Sequence, residues 1–405
     1  MRSILSLAAA LSLLAGSAVA AQHLERVVVV MRHGVRPPTQ SNADLAKYAA
    51  QPWPAWPVPP GELTPHGGET VRLMGETLRT AYREARLLPA SGCAGAGQVT
   101  VWADGADERT QQTGAILAEA LQPGCGLKAA WTDEKPRDPI FGGSDAPECR
   151  LDPDKAKANL AAALAGPAGR IETTAATARL QAILAPNACS GGPGICMTAP
   201  PPSAGAGGGM ASVFPQSAGL AEDILLEYAD GKPMGDVGWG RASAADIAAI
   251  MPIHERAFAL IRNEPDLDAS RGAQMTRVIL GALGGQPVSG GPRSGPDLKL
   301  LGLAGHDTNL ILMAGVFDLD WTLPDEPDAT APSTALVFEL WKDGGKEYVR
   351  PVIYYETLGQ LRSLKPSRAR TLPLTFKDCA SGPMGSCPVE ALRQRAEARL
   401  PPGCK

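Results

Sequence analysis

Three times in this chain a short apolar run breaks into a polar cluster that opens a helical pattern. The first is Val27–Met31, which runs into the sequence RHGVRPP at 32–38. The second, QVTVWA at 98–103, meets DGADERT and then a helical pattern from Thr110 to Leu121. The third, LKLLGLA at 298–304, meets GHDTN and the apolar LILMAGVF. Apolar runs rich in β-branched residues and without polar alternation predict strands buried on both faces, as in a parallel sheet covered by helices. Beyond the first run, Gln51 to Glu69 is rich in Pro, Trp and Gly and predicts a loop. Val71, Met74, Leu78, Ala81, Ala85 and Leu88 then recur at spacings of three and four, which marks one apolar helix face. Strand, loop and crossover helix make an α/β unit. Such sheets bind ligands at the carboxyl ends of their strands, so three clusters far apart in sequence can meet at one site.

The middle of the chain reads differently. Asp152 to Leu184 is Ala-rich and helical in pattern, Pro200 to Ser212 is a low-complexity loop expected to be mobile, and Leu220 to Tyr228 resumes a helix. This predicts a mainly helical insertion between the halves of an α/β domain. No internal repeat or heptad pattern is present.

Residues 1–20 carry Arg2, an apolar run, and the small residues Ala18 and Ala20 at positions a signal peptidase reads. An export signal cleaved near Ala20 is expected, with the protein periplasmic or secreted. No other segment is long and apolar enough to span a bilayer. Eight cysteines, an even number, suit an oxidising compartment. The close pairs in CSGGPGIC (Cys189, Cys196) and CASGPMGSC (Cys379, Cys387) enclose Gly and Pro, as small disulfide loops do, and lack common zinc-site spacing. With a formal charge of -4, the chain has no global basic field for nucleic acid or an anionic membrane, so an anionic ligand must be held by a local cluster.

RHGVR supplies that cluster. Arg32 and Arg36 flank His33, and such crowding calls for an anion that neutralises it; planar guanidinium forks match the oxygens of phosphate. ADERT adds Arg109 at the end of its own strand, and GHDTN adds His306 beside Asp307. Phosphoryl transfer needs an in-line nucleophile, charge stabilisation on the equatorial oxygens and a proton for the leaving oxygen. His33, the arginines with His306, and Asp307 cover those roles, and nothing is left over that demands a metal or another cofactor.

MRHGVRPPT paired with the distant GHDTN resembles the histidine acid phosphatase family, the second branch of the histidine phosphatase superfamily, and within it the bacterial periplasmic phytases and glucose-1-phosphatases. The likeness extends through WPAWPVPPGELTPHGGE, ADGADERTQQTG and GWGR at 238–241. It implies an α/β fold: a phosphoglycerate-mutase-like α/β domain with a central mainly parallel sheet, formed by residues 21–150 and 256–405. A smaller, mainly α-helical inserted domain at 151–255 would complete the substrate cleft. By position, the resemblance makes His33 the nucleophile that becomes a phosphohistidine and Asp307 the proton donor. Arg32, Arg36, Arg109 and His306 would bind the phosphate. Thr39, Gln40 and Glu222 would lie in the cleft. It further implies the pairs Cys93–Cys125, Cys149–Cys404, Cys189–Cys196 and Cys379–Cys387.

The expected function is therefore an exported acid phosphomonoesterase, monomeric, acting on a small phosphate ester. Phytate leads as the substrate, in the manner of a 4/6- or 3-phytase, with glucose-1-phosphatase or broad acid phosphatase activity as the alternative. A non-catalytic phosphate-ester binding protein is the rival of a different class, but it has no need of both His33 and Asp307. A cofactor-independent mutase fits poorly with export and disulfides. One departure from the family pattern stands out: Thr39 is followed by Gln40, where the phytases place Lys. Of the remaining histidines, His23 is expected to be exposed and His254 to sit at a partly buried helix edge, while His66 lies in a loop near the cleft. Trp53, Trp56 and Trp239 are expected to be packing anchors, and Lys47 or Arg241 could supply cleft charge.

Overall fold

A computed structural model describes residues 22–133, 138–143, 149–197, 215–365, 368–379, 381–401 and 404. The expected export signal and the Pro200–Ser212 stretch lie outside the described residues.

The run at Val27–Met31 is the middle of strand β1 (His23–Arg32). Every residue of it is fully buried, because β1 sits inside a seven-stranded sheet of order β2-β3-β1-β4-β5-β6. The other strands are β2 (Val99–Ala103), β3 (Leu300–Gly305), β4 (Ala335–Asp343), β5 (Lys346–Tyr355), β6 (Arg370–Pro373) and β7 (Cys387–Pro388), the last paired with β5. β2, β3 and β1 run parallel, and β4 to β7 extend the sheet antiparallel. In the parallel part Met31 and Ala103 both stand level with Ala304, and Arg32 with Gly305. Three strands thus end at one height.

The longer helices are α1 (Pro65–Glu84), α2 (Glu108–Leu121), α3 (Pro153–Ala165), α4 (Thr174–Leu184), α5 (Gln216–Ala229), α6 (Ala244–Ile250), α7 (Pro252–Arg262), α8 (Pro265–Leu283), α9 (Asp307–Phe317) and α10 (Val389–Arg399). Alternation along β1 sends Val27, Val29 and Met31 to one face, against Met74 and Leu78 of α1 and Leu117 of α2. Val28 and Val30 go to the other, against Ile279 of α8 and Leu310 of α9. Each buried valine contributes about 1.5–3 kcal/mol, so a polar replacement on either face would break the layer. A separate apolar cluster gathers α4, α5 and α6 with Val35, Leu45, Trp53 and Leu358. Among the described residues no helix is long and apolar enough to cross a membrane.

The stretch Gln51–Glu69 is not all loop, since α1 begins at Pro65. The Thr64 hydroxyl accepts from Gly67 N at 2.8 Å, and proline in the first turn loses no intrahelical bond. Two glycines let this helix end abut the strand exit. A Cβ on Gly67 would lie 2.1 Å from Val35 O, and one on Gly34 would lie 2.2 Å from Gly67 O. The glycine of RHG is therefore a packing requirement that holds His33 in place. The cysteines pair as Cys93–Cys125, Cys149–Cys404, Cys189–Cys196 and Cys379–Cys387.

Among the described residues several carboxyls are buried outside any ion pair. Burial raises Glu227 and Glu356 from 4.5 to about 8, opposed at Glu227 by a hydrogen bond from Gly238 N. Burial also pushes Asp268 and Glu326 well above the usual range. In the unfolded chain Glu227 and Glu356 lose their protons near 4.5, whereas the folded chain keeps them to about 8. Between these values the folded state binds more protons, so stability falls as pH rises. The melting temperature is expected to be several degrees higher near pH 5 than near pH 8, and Glu227→Gln to narrow the gap. A melting temperature that rises over that interval would contradict this.

Candidate active site

The level strand ends determine what converges. β1 delivers Arg32 and His33, β2 delivers Asp104, and β3 delivers His306 at the start of α9. His33 is held on both sides: its N–H donates to Gly305 O at 2.9 Å, and its carbonyl accepts from Ser333 N at 3.1 Å. Its Nδ1 lies 2.8 Å from Gly34 O. A carbonyl can only accept, so Nδ1 carries the proton and Nε2 keeps a free lone pair. The ring is 1% exposed. Burial, then Arg36, Arg109, Arg32 and His306, hold it well below its ordinary 6.5. The imidazole is therefore held toward its neutral form.

Arg32 is wholly buried, and both of its terminal nitrogens are engaged. Nη1 donates to Asp328 Oδ2 at 3.0 Å and Thr330 O at 2.7 Å, while Nη2 contacts Glu222 and lies 3.2 Å from Asp307 Oδ2. Burial alone would lower this guanidinium, but Asp307, Glu222 and Asp328 raise it, so it is always charged. Arg36 turns back toward the pocket, 3.4 Å from Glu222 Oε2 and bonded to Pro37 O at 3.1 Å. Glu222 thus spans both guanidiniums where an oxyanion could sit. Burial opposes its ionisation, but Arg36 and Arg32 prevail and lower it. Asp307, at the N-terminus of α9, is likewise pushed up by burial but brought down to about 2 by Arg32, Arg36, His306 and His254.

Arg109 bonds Gly61 O at 3.2 Å and lies 3.1 Å from Asp107 Oδ1. His306 Nε2 stands 2.9 Å from Asp104 Oδ2 and 3.6 Å from Asp107 Oδ2, with its ring centroid 5.6 Å from that of His33. Asp104, Asp107 and His306 are the one group among the described residues with ligand atoms close enough for a metal ion, and these atoms already pair with one another and with Arg109. Beside the arginines opens a cavity of about 350 Å³, whose walls include Arg36, Thr39, Gln40, Glu222, Asp223 and Asp307.

Some residues stand apart from expectation. His254 is not at a partly buried edge. It is 1% exposed, edge-on to Phe258 and 3.8 Å from Asp328 Oδ1, because α7 packs against the segment that supports Arg32. His66 bonds Leu361 O at 2.7 Å, away from the cavity. Arg241 is tied to Ile183 O and Lys47 lies over Tyr48, so neither lines the cavity. Trp53 and Trp239 pack edge to face, and Trp56 lies under Lys232. Sequence reasoning did not single out Asp104, Asp223 or Asp328. Asp104 stands at the same strand-end position in β2 as Arg32 does in β1, a signal that was present. Asp328 lies in an irregular Pro-containing segment whose spacing carries none.

Residues 23–181 match the family model described as "Histidine phosphatase superfamily (branch 2)". The chain is 31% identical to phytase AppA of Escherichia coli (strain K12), over 93% of this chain and 92% of the relative. It is 24% identical to the glucose-1-phosphatase of Salmonella typhimurium, over 96% and 97%. The solved phytase of Hafnia alvei in complex with tartrate superposes with a TM-score of 0.85 at 31% identity, covering 96% of this chain and all of that one. The phytase of Citrobacter braakii gives 0.82 at 29%, over 95% and 99%. Fold, strand-end cluster and full-length similarity converge: the chain belongs to the histidine phosphatase superfamily, branch 2.

Proposed function

We propose that this protein is an exported acid phosphomonoesterase that works through a phosphohistidine at His33. The observation that carries the reading is an imidazole held rigidly, and toward its neutral form, among guanidiniums, with the carboxyl of Asp307 3.2 Å from Arg32. In the first step His33 Nε2 attacks phosphorus, the ester P–O bond breaks, and Asp307 gives its proton to the departing alkoxide. In the second, Asp307 takes a proton from water, the water oxygen attacks phosphorus, and the N–P bond breaks to release phosphate. Arg32, Arg36, Arg109 and His306 hold the equatorial oxygens.

Beside Arg32 and Arg36 alone, Asp307 sits near 2, so it would not carry a proton there at moderate acidity. An incoming phosphate changes that. Its oxygens take over Arg32 and Arg36 and bring negative charge beside the carboxyl, and both effects raise the pKa. Glu222 must yield the guanidiniums to the same phosphate. The cleft lies between the α/β part, 21–150 and 256–405, and the helical part, 151–255. Four disulfides support maturation in an oxidising compartment. The export segment is proposed to be removed near Ala20, leaving the enzyme periplasmic or secreted.

The relatives' names put phytate and glucose 1-phosphate among the esters to test. Hydrolysis of p-nitrophenyl phosphate at acid pH is expected to persist in excess EDTA, because protein groups supply all the charge stabilisation. Turnover that requires an added metal would overturn the mechanism, and a protein that hydrolyses no phosphate ester would overturn the function.

A further inference from the structure

Beyond the phosphate-binding arginines, the cavity holds an unusual charge balance. Among the described residues its charged lining is Arg36, Glu222, Asp223 and Asp307, one cation against three carboxyls, and that cation already faces Glu222. The rest of the wall includes Phe258 and Ile261 on one side and Gln40 and Gln216 at the mouth. The two glutamines bond reciprocally, Gln40 Nε2 to Gln216 Oε1 at 3.3 Å and Gln216 Nε2 to Gln40 Oε1 at 3.0 Å. They present amide dipoles without charge.

We propose that Asp223 is a specificity-determining residue for the leaving group, and that it favours phosphate monoesters of neutral, hydroxyl-bearing alcohols over polyphosphorylated ones. This rests on the phosphomonoesterase reading above. Asp223 follows Glu222 on α5, is 6% exposed, and lines the cavity together with it. A carboxyl there can accept from a substrate hydroxyl and, when protonated, donate to one. In either state it brings no positive charge. A second phosphate on the substrate would enter a wall of carboxyls, amides and apolar side chains and lose its hydration without a cation in return. Burial and the neighbouring Glu222 hold the Asp223 carboxyl well above its usual range, in keeping with a group that serves as a hydrogen-bonding partner more than as a fixed charge. Sugar or inositol monophosphates match this wall, and myo-inositol hexakisphosphate matches it least.

The test compares kcat/KM at acid pH for glucose 1-phosphate, myo-inositol hexakisphosphate and p-nitrophenyl phosphate. The wild-type protein is expected to favour glucose 1-phosphate over the hexakisphosphate by about tenfold or more. Asp223→Asn should lower kcat/KM for glucose 1-phosphate about fivefold more than for the aryl ester, chiefly through KM. Gln40→Lys, at an exposed position that does not threaten folding, should raise the hexakisphosphate relative to glucose 1-phosphate by about tenfold. A wild-type preference for the hexakisphosphate, or ratios unmoved within about twofold in both variants, would overturn the assignment. Those outcomes would leave the phosphomonoesterase reading intact, which fails only if none of the three esters turns over.

Discussion

His33→Ala is expected to lose hydrolysis of p-nitrophenyl phosphate by about 10⁴-fold or more, the scale seen when a covalent nucleophile is removed. The size of the effect follows from the surroundings. No other described side chain combines an unprotonated ring nitrogen, a position at a strand end and encirclement by Arg32, Arg36 and Arg109. The ring is 5.6 Å from that of His306, but His306 Nε2 is committed to Asp104, so it is poorly placed to replace the lost nucleophile. Folding should survive, because the substitution removes a buried ring that three guanidiniums crowd and leaves the backbone bonds to Gly305 and Ser333 in place. Activity within about tenfold of wild type would sink the nucleophile assignment.

Asp307→Asn is expected to separate substrates by their leaving groups. An alkyl or sugar oxygen departs as a strongly basic alkoxide and needs a proton, so those esters should slow by about 10²–10⁴-fold. p-Nitrophenolate leaves without one, and its first step should suffer much less. Phosphate affinity should not fall with the loss of the carboxylate, since Asp307 competes with phosphate for Arg32 at 3.2 Å. Parallel losses on aryl and alkyl esters would remove the proton-donor role and leave Asp307 only as a partner of Arg32.

Much of this site was legible in the sequence because the fold concentrates its chemistry at strand ends. Four consecutive valines could be read as a doubly buried strand, since a β-branched run without polar alternation suits a central position in a covered sheet, and all four are fully buried. Arg32, His33, His306 and Asp307 follow directly on two such strands, so strand prediction placed them. Glu222 is different. It sits inside the helical run LAEDILLEY with no local mark to tell it from Asp223 or Glu227. Only the packing of α5 over the strand ends brings it to both arginines. Asp328 reaches Arg32 across 296 residues of sequence from an irregular segment, and tertiary packing alone selects it. The start of α1 was misread for a local reason. Gly67, Gly68 and Pro65 argue for a loop by composition, yet Pro65 is harmless in a first turn and Gly67 is needed for contact with Val35.

Trapping the phosphohistidine on His33 would decide whether hydrolysis runs through a covalent intermediate. The protein is mixed with a rapidly hydrolysed aryl phosphate, quenched with base, which preserves a phosphorus–nitrogen bond on histidine, and digested for mass spectrometry. A phosphoryl group is expected on the peptide that contains His33, formed at the rate of the initial burst of the phenol and absent from His33→Ala. A phosphoryl group on another residue, or hydrolysis with inversion at phosphorus and no trapped species, would contradict it.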